Sequence, residues 1–318
     1  MEIGNDIAIA KIWLESNQLV AIPTETVYGL AGNAFSEEAV NLIYETKNRP
    51  LKNPLIVHIA NADQLNTVAS YVPVLAQKLA DKFWPGPLTL VLPKKDIVPS
   101  IVSSGKNTVG IRVPNHPLTL QLLNELDFPL AAPSANPFGY ISPTLPIHVK
   151  KVLKDQIPYI LDGGACEKGL ESTIIGFEEE SPVIYRHGAI PKEDIEKCIG
   201  SVKEFTKADA NPSAPGMMHQ HYSPSTDFRL VDDVSSILHQ YEHKRIGLLV
   251  LKADPEWSKD HKVFELSPNH QLEEAAQRLF DAMHKLDELN LDIIIAERMP
   301  DLGIGKAIND RLERAAAE

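Results

Sequence analysis

The chain has 318 residues, 43% of them hydrophobic and 23% charged, and a net charge of −12. That length suits two domains rather than one core, and acids outnumber bases by five over residues 1–206 and by seven over 207–318, which argues against sequence-blind nucleic-acid binding. No apolar run nears the ~20 residues that span a bilayer, the N-terminus lacks a basic signal region, and Cys166 and Cys198 share no metal or CxxC spacing, so a cytoplasmic protein with two buried thiols is expected.

In chain order, β-branched runs predict strands at 19–22, 54–60, 88–93, 108–114 and 129–133. Between them "SEEAVNLIYETK" predicts a helix capped by Ser36, and "VPVLAQKLADKF" and "PLTLQLLNEL" carry apolar residues at helical spacing. Such alternation indicates an α/β domain. "PVIYRHGAI" then ends a strand in Arg186, and after "IPKEDIEKCIG" the periodicity breaks into "KEFTKADANPSAPGMMHQHYSPSTD", a linker with several apolar side chains. Strands at "RIGLLVL", "VFEL" and "LDIIIAE", with helices at 269–290 and 304–316, predict a second, smaller α/β domain.

The common nucleotide and hydrolase signatures are missing: there is no G-x-x-x-x-G-K-[ST], G-x-G-x-x-G, G-x-S-x-G or H-E-x-x-H. Polar groups nevertheless recur where apolar strands end. Thr24, Glu25, Thr26 and Tyr28 follow the first strand. Lys47 and Arg49 close the helix from Ser36, where cations also complement the helix dipole. His58 and Arg112 sit in strands of Leu, Ile and Val, and a buried Arg needs an anion or carboxylate. Ser134, Asn136 and Ser142 occupy one loop, and Gly163, Gly164 and Gly169 precede Ser172 and Thr173 in another. Convergence of this kind is what a small-molecule pocket in an α/β sheet requires. His219 and His221, two apart, lack a third metal ligand nearby.

The ordered set "PTETVYGL", "KNRP", "NPLIVHI", "WPGPLTLVL", "IRVPNHP", "APSAN", "DGG" and "LESTI" resembles the threonylcarbamoyl-AMP synthase family of YrdC-like fold, over residues 1 to about 205. "SAPGMMHQHYSP" and "GIGKAINDRLERAA" resemble its long, two-domain branch. The resemblance implies an α/β fold, a twisted mixed sheet with helices around a concave cavity (1–206), a linker or lid (207–226) and a smaller Rossmann-like domain (227–318). It implies a cytoplasmic enzyme that joins ATP, L-threonine and bicarbonate into threonylcarbamoyl-adenylate with release of pyrophosphate. The product would pass to a tRNA threonylcarbamoyl transferase machinery, with direct tRNA binding weak or absent.

Position by position, the resemblance implies Lys47 and Arg49 as the catalytic cations at the phosphates. Asn53, Thr108, Ser134, Asn136, Ser142, Arg186, His221 and Tyr222 are the further ATP contacts it implies, and Thr26, His58, Arg112, Ser172 and the main chain of Ala132 the threonine contacts. Mg²⁺ would ride on the ATP phosphates without protein ligands. Replacing Lys47 or Arg49 by Ala is then expected to stop pyrophosphate release and spare the fold. The sequence departs from the pattern at Gly110, His187 and the Met218, His219, Gln220 stretch, where the family carries Ala, Pro and a basic residue. Residues 213–224 are expected to close over the cavity as a lid. An RNA-binding module without synthase activity is the alternative from another class, and a hydrolytic or carbamoyl-transfer relative is disfavoured by the absence of a nucleophile motif.

Overall fold

The computed structural model describes residues 1–205 and 222–317. The N-terminal part opens with β1 (Glu2–Gly4), α1 (Ile7–Glu15), β2 (Val20–Ile22), β3 (Gly29–Asn33) and α2 (Glu37–Lys47). It continues through β4 (Ile56–His58), α3 (Leu65–Val68), α4 (Val74–Phe83), β5 (Leu88–Pro93) and β6 (Thr108–Arg112). Then come α5 (Pro117–Glu125), β7 (Leu130–Ala131), α6 (Pro146–Leu153) and β8 (Tyr159–Leu161). The part ends with β9 (Thr173–Glu178), β10 (Ser181–Arg186), α7 (Lys192–Ile199) and β11 (Lys203–Glu204). Among the described residues its strands form one mixed sheet of eleven, in the order β1-β8-β2-β3-β7-β4-β6-β5-β9-β10-β11.

The predicted strands are present, and the spacing of their apolar residues explains why: Leu88, Leu90 and Leu92 alternate into the core from β5, and Val109 and Ile111 from β6. The sequence reading did not mark β3. Its "GLAGN" has two glycines and no β-branched side chain, yet it lies antiparallel to β2 and β7 and is buried over residues 29–32. At Gly32 a Cβ would stand 2.9 Å from the Leu19 side chain and 3.3 Å from Ile43, so glycine there lets α2 approach the sheet. Tertiary packing overrides the poor strand propensity.

The C-terminal part contains β12 (Phe228–Val231), β13 (Ile246–Val250), β14 (Lys262–Glu265), α8 (Leu272–Asp287), β15 (Ile293–Glu297) and α9 (Gly305–Ala315). Its four strands are parallel, in the order β12-β15-β13-β14. All five residues of β13 are buried, as a parallel strand covered on both faces requires. The two parts share a core: Val27, Ile141 and Leu170 join a cluster with Leu249, Phe280, Met283 and Ile308. At Gly169, with φ of +68°, a Cβ would meet the backbone of Gln277 at 2.5 Å, so the loop and α8 touch main chain to main chain.

The expectation of two buried thiols holds for one of them. Cys166 is buried, and burial pushes its thiol up to about 12. Cys198, on the short α7, is half-buried with its Sγ against the Lys78 carbonyl, because that helix covers the core with one face only. His221, the linker positions 218–220 and most of the expected lid lie outside the described residues. No helix among the described residues is long and apolar enough to cross a membrane.

Candidate active site

The turn after β2 explains its own density of hydroxyls. Thr24 Oγ1 accepts from the amides of Thr26 and Val27 at 3.1 and 3.2 Å and donates to the Val27 carbonyl at 2.6 Å. One threonine thus closes the turn by side chain-to-backbone bonding. Closure fixes Glu25 and Thr26 on either side of Arg112, which arrives at the end of β6. The Arg112 Nη2 lies 2.7 Å from Glu25 Oε2, and its Nη1 donates to Thr26 Oγ1 at 3.0 Å. Glu25 Oε2 also accepts from the Asn115 amide at 3.0 Å. The carboxylate that a buried Arg demands is therefore Glu25, which from sequence was only one of the polar residues after the first strand. Both members are almost fully buried.

Beside this pair, the β4–β6 register sets His58 opposite Arg112. Burial, reinforced by the Arg112 charge, pulls the His58 imidazole down to about 3, so the ring is neutral at physiological pH. Thr26, His58 and Arg112 face an open cavity. Its wall includes Thr26, His58, Arg112, Ala132 and Ser172, all five of the expected threonine contacts. The Ala132 N–H is committed to the Ile56 carbonyl at 3.0 Å, so a main-chain contribution from this residue falls to its carbonyl.

Two further cations line the same cavity. Arg49 is fixed by its Nε and Nη2 donating to the carbonyls of Asn53 and Pro54 at 3.0 and 2.8 Å. Burial lowers its guanidinium to about 10, still charged at neutral pH. Arg186 donates from Nη2 to the Ser172 carbonyl at 2.8 Å and to Ser172 Oγ at 3.2 Å, and burial likewise lowers it. Ser134 and Tyr222 line the cavity as well. Tyr222 is buried with φ of +70°, uncommon for an aromatic residue. Its ring stacks on Phe280 of α8 with centroids 5.5 Å apart.

Five expected residues do not line the cavity. Lys47 is 1% exposed, and its ammonium donates to the carbonyls of Ser134, at 2.6 Å, and Asn136. Asn53 offers its carbonyl to Arg49, and the Asn136 amide group braces its loop through the carbonyls of Pro137 and Tyr140. Thr108 starts β6, paired with Pro93. Ser142 donates to Glu171 Oε1 at 2.7 Å. Glu171 itself lines the cavity and was given no role from sequence, although it stands in the quoted "LESTI". The available signal was the same as for Glu25, a carboxylate beside a ligand loop with a buried Arg elsewhere in the chain.

The arrangement can hold a small zwitterion against Thr26, His58 and Arg112 while Arg49 and Arg186 face a second anion in the same space. A family model described as "Telomere recombination", of the Sua5, YciO and YrdC proteins, matches residues 13–188, and one described as "Threonylcarbamoyl-AMP synthase, C-terminal domain" matches 190–317. The chain belongs to the threonylcarbamoyl-AMP synthase family. It is 40% identical to the threonylcarbamoyl-AMP synthase of Pyrococcus abyssi, over 98% of this chain and 94% of that one. It is 42% identical to that of Bacillus subtilis, over 98% and 92%. The crystal structure of P. abyssi Sua5 complexed with L-threonine superposes with a TM-score of 0.90 at 39% identity, covering 98% of this chain and 94% of that one.

Proposed function

We propose that the chain makes threonylcarbamoyl-adenylate and pyrophosphate from L-threonine, bicarbonate and ATP, for transfer of the threonylcarbamoyl group to a tRNA adenosine. The observation that carries this reading is one cavity lined by three arginines, Arg112 beside Thr26 and His58, together with Arg49 and Arg186. In the first step the threonine amine bonds to the bicarbonate carbon, water leaves, and a carbamate forms. An oxygen of that carbamate then attacks the α-phosphorus of ATP, and the bond to pyrophosphate breaks. Neither step needs a protein nucleophile, so the residues act by position and charge.

Arg112 suits the threonine carboxylate, because charge-assisted contacts to a guanidinium are short and directional. The neutral His58 ring can accept from a threonine donor without adding charge. Arg49 and Arg186 would offset the negative charge that builds on the phosphoryl oxygens, in a cavity where that field is weakly screened. Lys47 would act at one remove, by fixing the Ser134–Asn136 segment, and through that segment the seat of the nucleotide. Both oxygens of Glu171 are taken, by Ser142 and Arg311. No three His, Cys, Asp or Glu side chains gather for a metal among the described residues. A Mg²⁺ ion would ride on the ATP phosphates, where it would supply charge neutralisation.

The test is direct. The protein is incubated with ATP, Mg²⁺, isotope-labelled threonine and bicarbonate, and threonylcarbamoyl-adenylate is sought by mass alongside pyrophosphate. Release that requires both threonine and bicarbonate supports the reading; pyrophosphate released equally without threonine, or no adduct, rejects it.

A further inference from the structure

The C-terminal "GIGKAINDRLERAA" contains α9, and from it one side chain reaches out of its own domain to a residue of the cavity wall. Arg311 is 0% exposed. Its Nε donates to Glu171 Oε2 at 3.0 Å, and its Nη1 to the His187 carbonyl and to Asp310 Oδ2, both at 2.8 Å. Its guanidinium carbon stands 5.5 Å from the centre of the Tyr222 ring. Although burial opposes its charge, Tyr222, Glu171 and Asp310 together hold it above the usual arginine value. A fully buried, permanently charged group 140 residues from its partner is a costly way to fasten two domains, since apolar contacts do the same without desolvation.

Its position explains the cost. Among the described residues, Glu171 is the one carboxylate in the cavity wall. An acid there, uncompensated, repels any anion that enters. Arg311 neutralises it from behind and leaves its second oxygen for Ser142. The same guanidinium pins the carbonyl of His187, the residue after Arg186, and abuts Tyr222.

We propose that Arg311 is a positioning residue for the polyanion half of the site: from the C-terminal domain it cancels Glu171 and sets Ser142, Arg186 and Tyr222 to receive a triphosphate. The inference rests on the synthase reading above. It gives the C-terminal domain a part in building the cavity, whereas Thr26, His58 and Arg112 come from the N-terminal part.

The experiment measures ATP and threonine KM for pyrophosphate release, and threonine binding by calorimetry, in the full-length wild type, Arg311→Lys, Arg311→Met, and the charge-free pair Glu171→Gln with Arg311→Met. In Arg311→Met the ATP KM is expected to rise at least about tenfold, as for a buried charge pair stripped of one partner, with threonine affinity held within about twofold. The pair is expected to recover most of that loss, because no acid remains to be cancelled, and Arg311→Lys to fall between. Where Arg311→Met does not fold, the pair decides alone: an ATP KM within a few-fold of wild type supports the proposal, and a loss matching the single variant's expectation overturns it. Equal losses for ATP and threonine, or no recovery in the pair, make Arg311 a domain fastener only. A wild type without threonine-dependent release rejects the synthase reading itself, a separate outcome from the variant ratios.

Discussion

Glu25 and Arg112 show how much of the site depends on two residues holding each other. Arg112→Ala removes the partner proposed for the threonine carboxylate and also strands a buried carboxylate, so it is expected to raise the threonine KM far more than the ATP KM and to destabilise the fold by about 3–5 kcal/mol. Urea unfolding together with the two KM values checks this; a variant as stable as wild type shows that the ion pair does not hold the turn. Lys47 carries a correction of the same kind. From sequence its removal spares the fold, but the ammonium is 1% exposed and satisfies two main-chain carbonyls. Lys47→Met should therefore cost about 2–6 kcal/mol of stability, as the two buried acceptors left unpaired each cost roughly 1–3, along with activity. Denaturation curves for the two proteins measure it. The residue types at the site were legible because they interrupt apolar strands, as His58 and Arg112 do. Their partners were not, since Glu25 with Arg112 and Glu171 with Arg311 are pairings that only the fold brings together.

At the scale of the element, the cap and the register decide position. Ser36 Oγ accepts from the Ala39 amide at 3.3 Å and starts the helix whose far end delivers Lys47 and Arg49. Ser36→Ala should cost about 1 kcal/mol, read as a lowered unfolding midpoint, with ATP KM unchanged because the C-terminal turn is fixed separately by its own bonds. The helix was legible from this cap. Less so was the seam between α6 and α8, where His148 and His284 stack with centroids 4.0 Å apart and His284 donates to the Ser142 carbonyl at 3.2 Å. Burial, with His148 next, pulls His284 down to about 3, as burial does His58. Both folded-state values lie below the ordinary 6.5, so in the window between them the unfolded chain binds more protons. Stability is whole above pH 6.5 and drains as pH falls toward 3, by about 1.4 kcal/mol per pH unit for each ring. Unfolding free energies at pH 7 and pH 5 check the slope, and His284→Gln, which keeps a donor for Ser142, is expected to shed its share of it.

For the whole molecule, the shared core predicts one cooperative transition. Val27, Ile141 and Leu170 lie in the N-terminal part but are buried with residues of α8 and α9. A chain cut after residue 205 should keep its sheet, expose that face, melt at a lower temperature and lose most ATP-dependent release, since Tyr222 and Arg311 go with the cut. Normal turnover by the shortened chain would falsify the dependence. The fold class was legible here because strand and helix periods alternate cleanly along the chain. What joined the parts was not: "GIGKAINDRLERAA" reads as an ordinary amphipathic helix, and nothing local marks Arg311 for burial at a distant carboxylate.

That distance orders events during synthesis. A ribosome adds 140 residues between Glu171 and the arginine that answers it, and domains fold in turn as they emerge. On the role proposed for Arg311, the nascent N-terminal part through that interval holds an uncancelled acid in its cavity, so a ribosome-bound chain is expected to stay silent toward ATP until α9 has emerged.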